Sequence, residues 1–110
     1  MPSVKNKLAF EALRSRASST LTGSYQTLGA VMAHPIRIFK LTSTSTTDVT
    51  VSYDGGTTDH EILPAGSFLL IDVTSDRVWD CEFALAEGVQ VSIKGSAGTG
   101  TIYLSTYYAV

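Results

Sequence analysis

Residues 47–73, TDVTVSYDGGTTDHEILPAGSFLLIDV, leave the middle of this chain little choice but antiparallel β-structure. Val49, Val51 and Tyr53 alternate with Thr50 and Ser52, the period of two that sends one face of a strand into a core and the other to water. Asp54-Gly55-Gly56 follows, and its glycines admit the positive φ angles of a tight reversal. The next run, 60–63, is short and extended, because Pro64 has no N–H to give and biases the residue before it away from helix. Leu63-Pro64-Ala65-Gly66 makes a corner. Residues 67–73 are almost wholly apolar and read as a strand covered on both faces.

The flanking sequence adds strands to this unit. Residues 24–29, SYQTLG, form a candidate first edge strand. After Pro35 an extended run sets Ile36 and Ile38 against Arg37, Phe39 and Leu41, and the six hydroxyl residues of 42–47 make a loop, since their side chains compete for backbone hydrogen bonds. Further on, Trp79, Cys81, Phe83 and Leu85 share one face of an alternating run. Val89, Val91 and Ile93 share another, GSAGTG at 95–100 reverses the chain, and 101–109 closes it. About seven or eight short strands separated by turn signals predict an all-β fold, an antiparallel β-sandwich or jelly roll, with a small open barrel as the other possibility. At 110 residues the chain has one core's worth of sequence, and its 44% apolar content excludes a disordered tract.

The N-terminal segment reads differently. Pro2 and Ser3 can open a helix, and Leu8, Phe10, Ala12, Leu13 and Ala17 recur at spacings of three and four beside Lys5, Lys7, Arg14 and Arg16. The expectation is a short helical arm with a small-residue linker over residues 1–23, followed by the β-domain over 24–110. So short a helix is marginal alone and needs something to pack on. Charge is split the same way. The chain carries −2 overall, with +3 on residues 1–21 and −5 on the rest, so a basic segment on an acidic body suits docking on a protein surface better than nucleic-acid binding.

Chemistry-bearing residues are sparse. Asp54, Asp59, His60 and Glu61 lie close together, but their spacing matches no EF-hand and no His pair one helical turn apart, so no metal site is assigned. His34 and His60 are the only histidines, and no nucleophile-elbow motif supports either as a base. The glycine-rich 95–100 loop lacks the Lys of a P-loop and opens no helix. Cys81 sits on an apolar face and, as the single cysteine, excludes an internal disulfide. No apolar run is long enough to span a membrane and no signal-peptide pattern opens the chain, so a reducing cytoplasm is the expected place of synthesis. Neither a catalytic constellation nor a cofactor is expected. Tyr103 and Tyr107 share a face of the last strand, and such tyrosines carry flat interfaces or stack on sugar rings. The predicted contact residues are therefore Phe10, Leu13, Arg14 and Arg16 of the arm, with Tyr103 and Tyr107.

Four stretches, SYQTLG at 24–29, HPIRIFKL at 34–41, the whole of 47–73 and the aromatic last strand, together resemble a group of small virion structural proteins of tailed bacteriophages. The shared order is Tyr with Leu-Gly, then Pro-x-Arg-Ile, then Ser-x-Asp-Gly, then Leu-Pro-Ala-Gly with an Asp a few residues on. The resemblance covers roughly residues 24–77 and implies a non-enzymatic β-sandwich, present as a dimer or higher oligomer, that joins a virion in the host bacterial cytoplasm. It implies as partner the major capsid protein, which a decoration or cement protein bridges, or else other virion proteins in a neck or tail ring. A carbohydrate-binding module is the alternative of a different class.

Overall fold

The computed structural model describes residues 7–73, 77–78, 81–82 and 84–110, with the backbone alone for 77–78 and 81–82. In chain order the strands are β1 (Leu8–Phe10), β2 (Arg14–Ala17), β3 (Gln26–Thr27), β4 (Ile36–Ser43), β5 (Val49–Ser52), β6 (Glu61–Leu63), β7 (Phe68–Asp72), β8 (Arg77–Val78), β9 (Cys81–Glu82), β10 (Ser92–Gly95) and β11 (Thr101–Ala109). The fold is all-β, as expected. β1, β11, β4 and β7 lie side by side in that order, with β2 also on β11, and a second sheet runs β3, β10, β5, β6. All pairings in both sheets are antiparallel. β8 and β9 form a separate two-stranded ribbon. The pattern expected for Trp79, Cys81 and Phe83 lies outside the described side chains, as do Pro2, Ser3 and Lys5.

β11 is the hub because its sequence suits two demands at once. Ile102, Leu104 and Thr106 are fully buried, while Tyr103, Ser105 and Tyr107 alternate to the opposite face. Across from it β4 buries Phe39 and Leu41. The second sheet contributes Val49 and Val51 of β5, Leu63 of β6 and Ile93 of β10 to the same core cluster, and Leu21, Leu28, Met32 and Val91 join from the connections. Each such side chain stabilises the fold by about 1.5–3 kcal/mol relative to exposure. Phe39 and Tyr53 meet edge to face, centroids 5.7 Å apart, and so bring side chains of the two sheets into contact.

The central unit follows its sequence closely. Gly55 and Gly56 take φ of 79° and 103°, and Asp54 Oδ1 accepts the Ser52 hydroxyl at 2.6 Å and the Thr57 and Thr58 amides at 3.1 and 3.0 Å. Those bonds, the Ser52 hydroxyl first, hold its carboxyl far below the usual range. The hydroxyl-rich loop is shorter than read, since Thr42 and Ser43 end β4, but its side chains bond the backbone as expected: Ser45 donates its amide to Ser43 Oγ and Thr47 its amide to Ser45 Oγ, each at 3.1 Å.

Among the described residues the helical arm is not there. Residues 8–10 and 14–17 are strands on the free edge of β11, and Ser18–Thr20 is a single 3-10 turn. The five-residue apolar stripe was too short to sustain a helix alone, whereas a nine-residue strand offers the segment a full ladder of backbone partners. The linker is packed as well: Leu21 is buried, and buried Ser18 shares a 2.6 Å hydrogen bond with Ser45. Nor is 67–73 covered on both faces, for Phe68 is 64% and Leu70 51% exposed.

The turn into β11 is set by Gly100, at φ 94°, where an added Cβ would collide with the Thr44 carbonyl oxygen. Gly100→Ala is expected to lower unfolding stability by at least about 2 kcal/mol, from the left-handed backbone and the collision together. Urea denaturation followed by tyrosine fluorescence measures this, and an unchanged midpoint would refute it.

Candidate functional site

Between β1 and β2 the chain gains one residue on its partner. Phe10 faces Tyr107 and Arg14 faces Leu104, so four steps on one side answer three on the other, a β-bulge within 11–13. The bulge turns Glu11 inward, and its side chain is only 6% exposed. Oε1 accepts Arg14 Nη2 at 2.8 Å and the Thr106 hydroxyl at 3.0 Å. Oε2 accepts the Ala33 amide at 3.1 Å and His34 Nδ1 at 2.6 Å. A carboxylate at this site only accepts, so Nδ1 carries the proton.

Arg14 completes the network. Nη1 donates to Thr106 Oγ1 at 2.8 Å, Nε to the Ala30 carbonyl at 2.7 Å and Nη2 to the Val31 carbonyl at 3.0 Å. Gly29 makes room for it, since a Cβ there would lie 2.6 Å from Arg14 Cγ. His34 in turn stacks flat on Tyr108, centroids 3.6 Å apart. Burial alone would raise the Glu11 pKa, but the hydrogen bonds from Arg14, His34 and Thr106 and the Arg14 charge outweigh it and hold it below its ordinary 4.5. The cluster is a fully bonded anchor, with every oxygen of the carboxylate used, and it pins the N-terminal strands against the 29–34 connection.

This placement corrects the expectation for the arm cations. Alternation on the edge of β11 sends Arg14 and Arg16 to the inner side of the sheet, beside Leu104 and Ile102. Arg14 is buried and committed to the anchor. Arg16 donates Nε to the Thr27 carbonyl at 3.0 Å and Nη1 to Thr20 at 3.3 Å, tying β2 to β3. Leu13 is 61% exposed at the rim of the groove that Glu11, Val31, His34 and Tyr108 also line.

The remaining three predicted residues do come together. Register places Phe10, Tyr107 and Ile38 in one row across the outer face of the larger sheet, and Tyr103, Thr42 and Phe68 in another, with Lys40 and Leu70 between. Phe10 is 69% exposed and packs edge to face on Tyr107 at 5.0 Å. Lys40 holds its ammonium 5.9 Å from the Phe68 ring centroid. Ile38, Phe68 and Leu70 were missed in the sequence because a solvent-facing apolar strand and a covered one are written in the same letters. Leu8, 46% exposed, extends the surface along β1. An apolar sheet face of this kind is the usual mark of an interaction surface.

The acidic stretch divides among separate tasks. His60 Nδ1 accepts the Tyr53 amide at 3.0 Å. Asp59 accepts the Tyr25 hydroxyl and lies 3.3 Å from Lys94 Nζ. Burial, then the Asp59 bond, push the Tyr25 pKa up to about 12. Among the described residues no group of three or more His, Cys, Asp or Glu is placed to hold a metal ion.

The fold defines an all-β protein of two antiparallel sheets with one aromatic outer face. No protein-family model and no curated protein matches the chain. Among solved structures it is similar to a chain of the disulfide-linked pili of Bacillus endospore appendages, at 15% identity and a TM-score of 0.50, covering 100% of this chain and 95% of that one. At that identity the likeness is one of fold.

Glu11→Gln keeps the shape of the anchor and removes its charge, leaving Arg14 buried without a counterion. It is expected to cost about 3 kcal/mol at neutral pH. Because the folded Glu11 pKa is depressed, its contribution is complete above the ordinary 4.5 and disappears as pH falls through the lowered folded value. Denaturation of both proteins at neutral and acid pH should therefore show a gap that closes in acid. A gap independent of pH would mean the charge is immaterial.

Proposed function

We propose that this chain is a non-enzymatic structural protein of a phage virion, most specifically a decoration protein that seats on the capsid shell and bridges neighbouring subunits. The observation that supports this best is the outer sheet face on which exposed Phe10, Phe68 and Leu70 lie with half-buried Tyr103 and Tyr107. Side chains of this type form the desolvated centres of protein interfaces. The sequence resemblance over roughly residues 24–77 supplies the setting. The two sheets, which share one core cluster, fit the sandwich or jelly-roll architecture of that reading.

The seating face is rigid where it matters. Phe10 is held by the anchor at Glu11 one residue away, so the strand presenting it is fixed to the body before any partner arrives, which lowers the ordering cost of binding. Many weak contacts repeated over a symmetric shell then add up. A second reading, a subunit of a neck, tail or other filamentous assembly, draws on the similarity in fold to a pilus chain.

The test is binding to capsids assembled without this protein. Replacing Phe10, Tyr103 and Tyr107 together by serine is expected to leave the circular dichroism spectrum in place and to weaken binding at least tenfold, about 1.4 kcal/mol or more. Capsids lacking the protein should also break at a lower temperature than decorated ones. Full-strength binding by the triple variant would remove the seating model, and a few copies per particle in place of hundreds would favour the neck or tail.

A further inference from the structure

The strand edges of the two sheets differ in how they meet solvent. β3 has two residues and β6 three, and β1 has three before the bulge breaks it. Short strands and bulges are the means by which proteins keep an edge from recruiting another chain. β7 uses neither. It runs five residues in unbroken register on β4, contains no proline or lysine, and among the described residues no strand pairs with its other side.

Its peptide groups can be oriented from the ladder. Ser43 donates its amide to the Ser67 carbonyl and Val73 donates to the Arg37 carbonyl, each at 2.9 Å. Antiparallel strands exchange bonds at alternate residues, so Leu69 and Ile71 bond toward β4 while Phe68 and Leu70 turn N–H and C=O to the open edge. The same two residues expose their side chains, by 64% and 51%. Backbone and side chain are thus offered together at one place.

We propose that β7 pairs with β7 of a second copy, antiparallel, about a twofold axis through Leu70. In that register Leu70 faces Leu70, and Phe68 of each copy faces Asp72 of the other. The two Asp72 carboxylates are kept at opposite ends. Each instead lies beside the Phe68 of the other copy, over whose ring Lys40 holds its ammonium at 5.9 Å. A twofold axis normal to the sheet keeps both outer faces on the same side, so the two sheets become one and the apolar seating face is doubled. The inference deepens the seating model and rests on it for its purpose, although the pairing itself is measured on the soluble protein.

Sedimentation of the full chain across the micromolar range is expected to show a reversible dimer. Leu70→Lys puts a charge on the axis from an already exposed position. Leu70→Pro removes only the outward N–H and leaves the β4 ladder its donors. Both should weaken dimerisation at least tenfold, and Leu70→Lys should keep the unfolding temperature that the wild type shows when diluted to monomer, which guards against loss of fold. In a Cys81→Ser background, Leu70→Cys should give a covalent dimer under mild oxidation and Phe10→Cys, exposed on the opposite edge, should not. A monomeric wild type, a dimer untouched by both changes, or cross-linking through position 10 in place of 70 would each overturn the proposal. The Phe10/Tyr103/Tyr107 serine variant should remain dimeric, so loss of seating and loss of pairing are read separately.

Discussion

A carboxylate taken out of water needs partners for both oxygens, and the way Glu11 finds them determines the N-terminal half of this molecule. Its four hydrogen bonds come from Arg14 on the next strand, Thr106 on β11, and Ala33 and His34 on the connection into β4. Those donors belong to three separate parts of the chain, so satisfying one side chain fixes all of them relative to one another. A buried charge left without them would cost several kcal/mol. The bulge that aims Glu11 inward is in this sense part of the interaction.

What the anchor holds in place is a surface unlike the rest of the molecule. Both sheets contribute side chains to one buried apolar core, while the outer face of the larger sheet keeps aromatic and aliphatic groups in solvent. Water is a poor neighbour for such a row, and lysine, as at Lys40, only partly covers it. A chain that spends apolar area in this way gains nothing from it in isolation. The benefit comes when a second surface excludes the water.

Much of this was legible in the sequence where the determinants are local. The 47–73 unit carries its alternation, its Asp-Gly-Gly reversal and its Pro corner within a few residues, and the strand at 101–109 announces itself by period and composition. The N-terminal segment was misread because Leu8, Phe10, Leu13 and Ala17 satisfy a helical spacing over too few residues to decide. The deciding partner is β11, about ninety residues away in sequence. The roles of Arg14 and Arg16 went with it, since a cation on a strand edge turns inward or outward by register alone. Glu11 gave no signal at all: its donors are 3, 22, 23 and 95 positions distant, and a bulge leaves no mark in the letters. That Phe10 shares a sheet face with Tyr103 and Tyr107 was not legible either, because its segment was read as a helix apart from the strands.

The position of β11 also governs when this protein can exist. β1 and β2 take their ladder from residues 101–109, and β4, which also pairs with β7, takes its second ladder there, so during synthesis the larger sheet stays incomplete until that strand emerges. In the second sheet only the β5–β6 hairpin is local, since β3 and β5 both pair with β10 at 92–95. Contacts of such long sequence separation make for slow folding, and an unfinished chain exposes unpaired edges to other copies. The speed with which β11 pairs with its neighbours therefore sets how long those unfinished edges stay open.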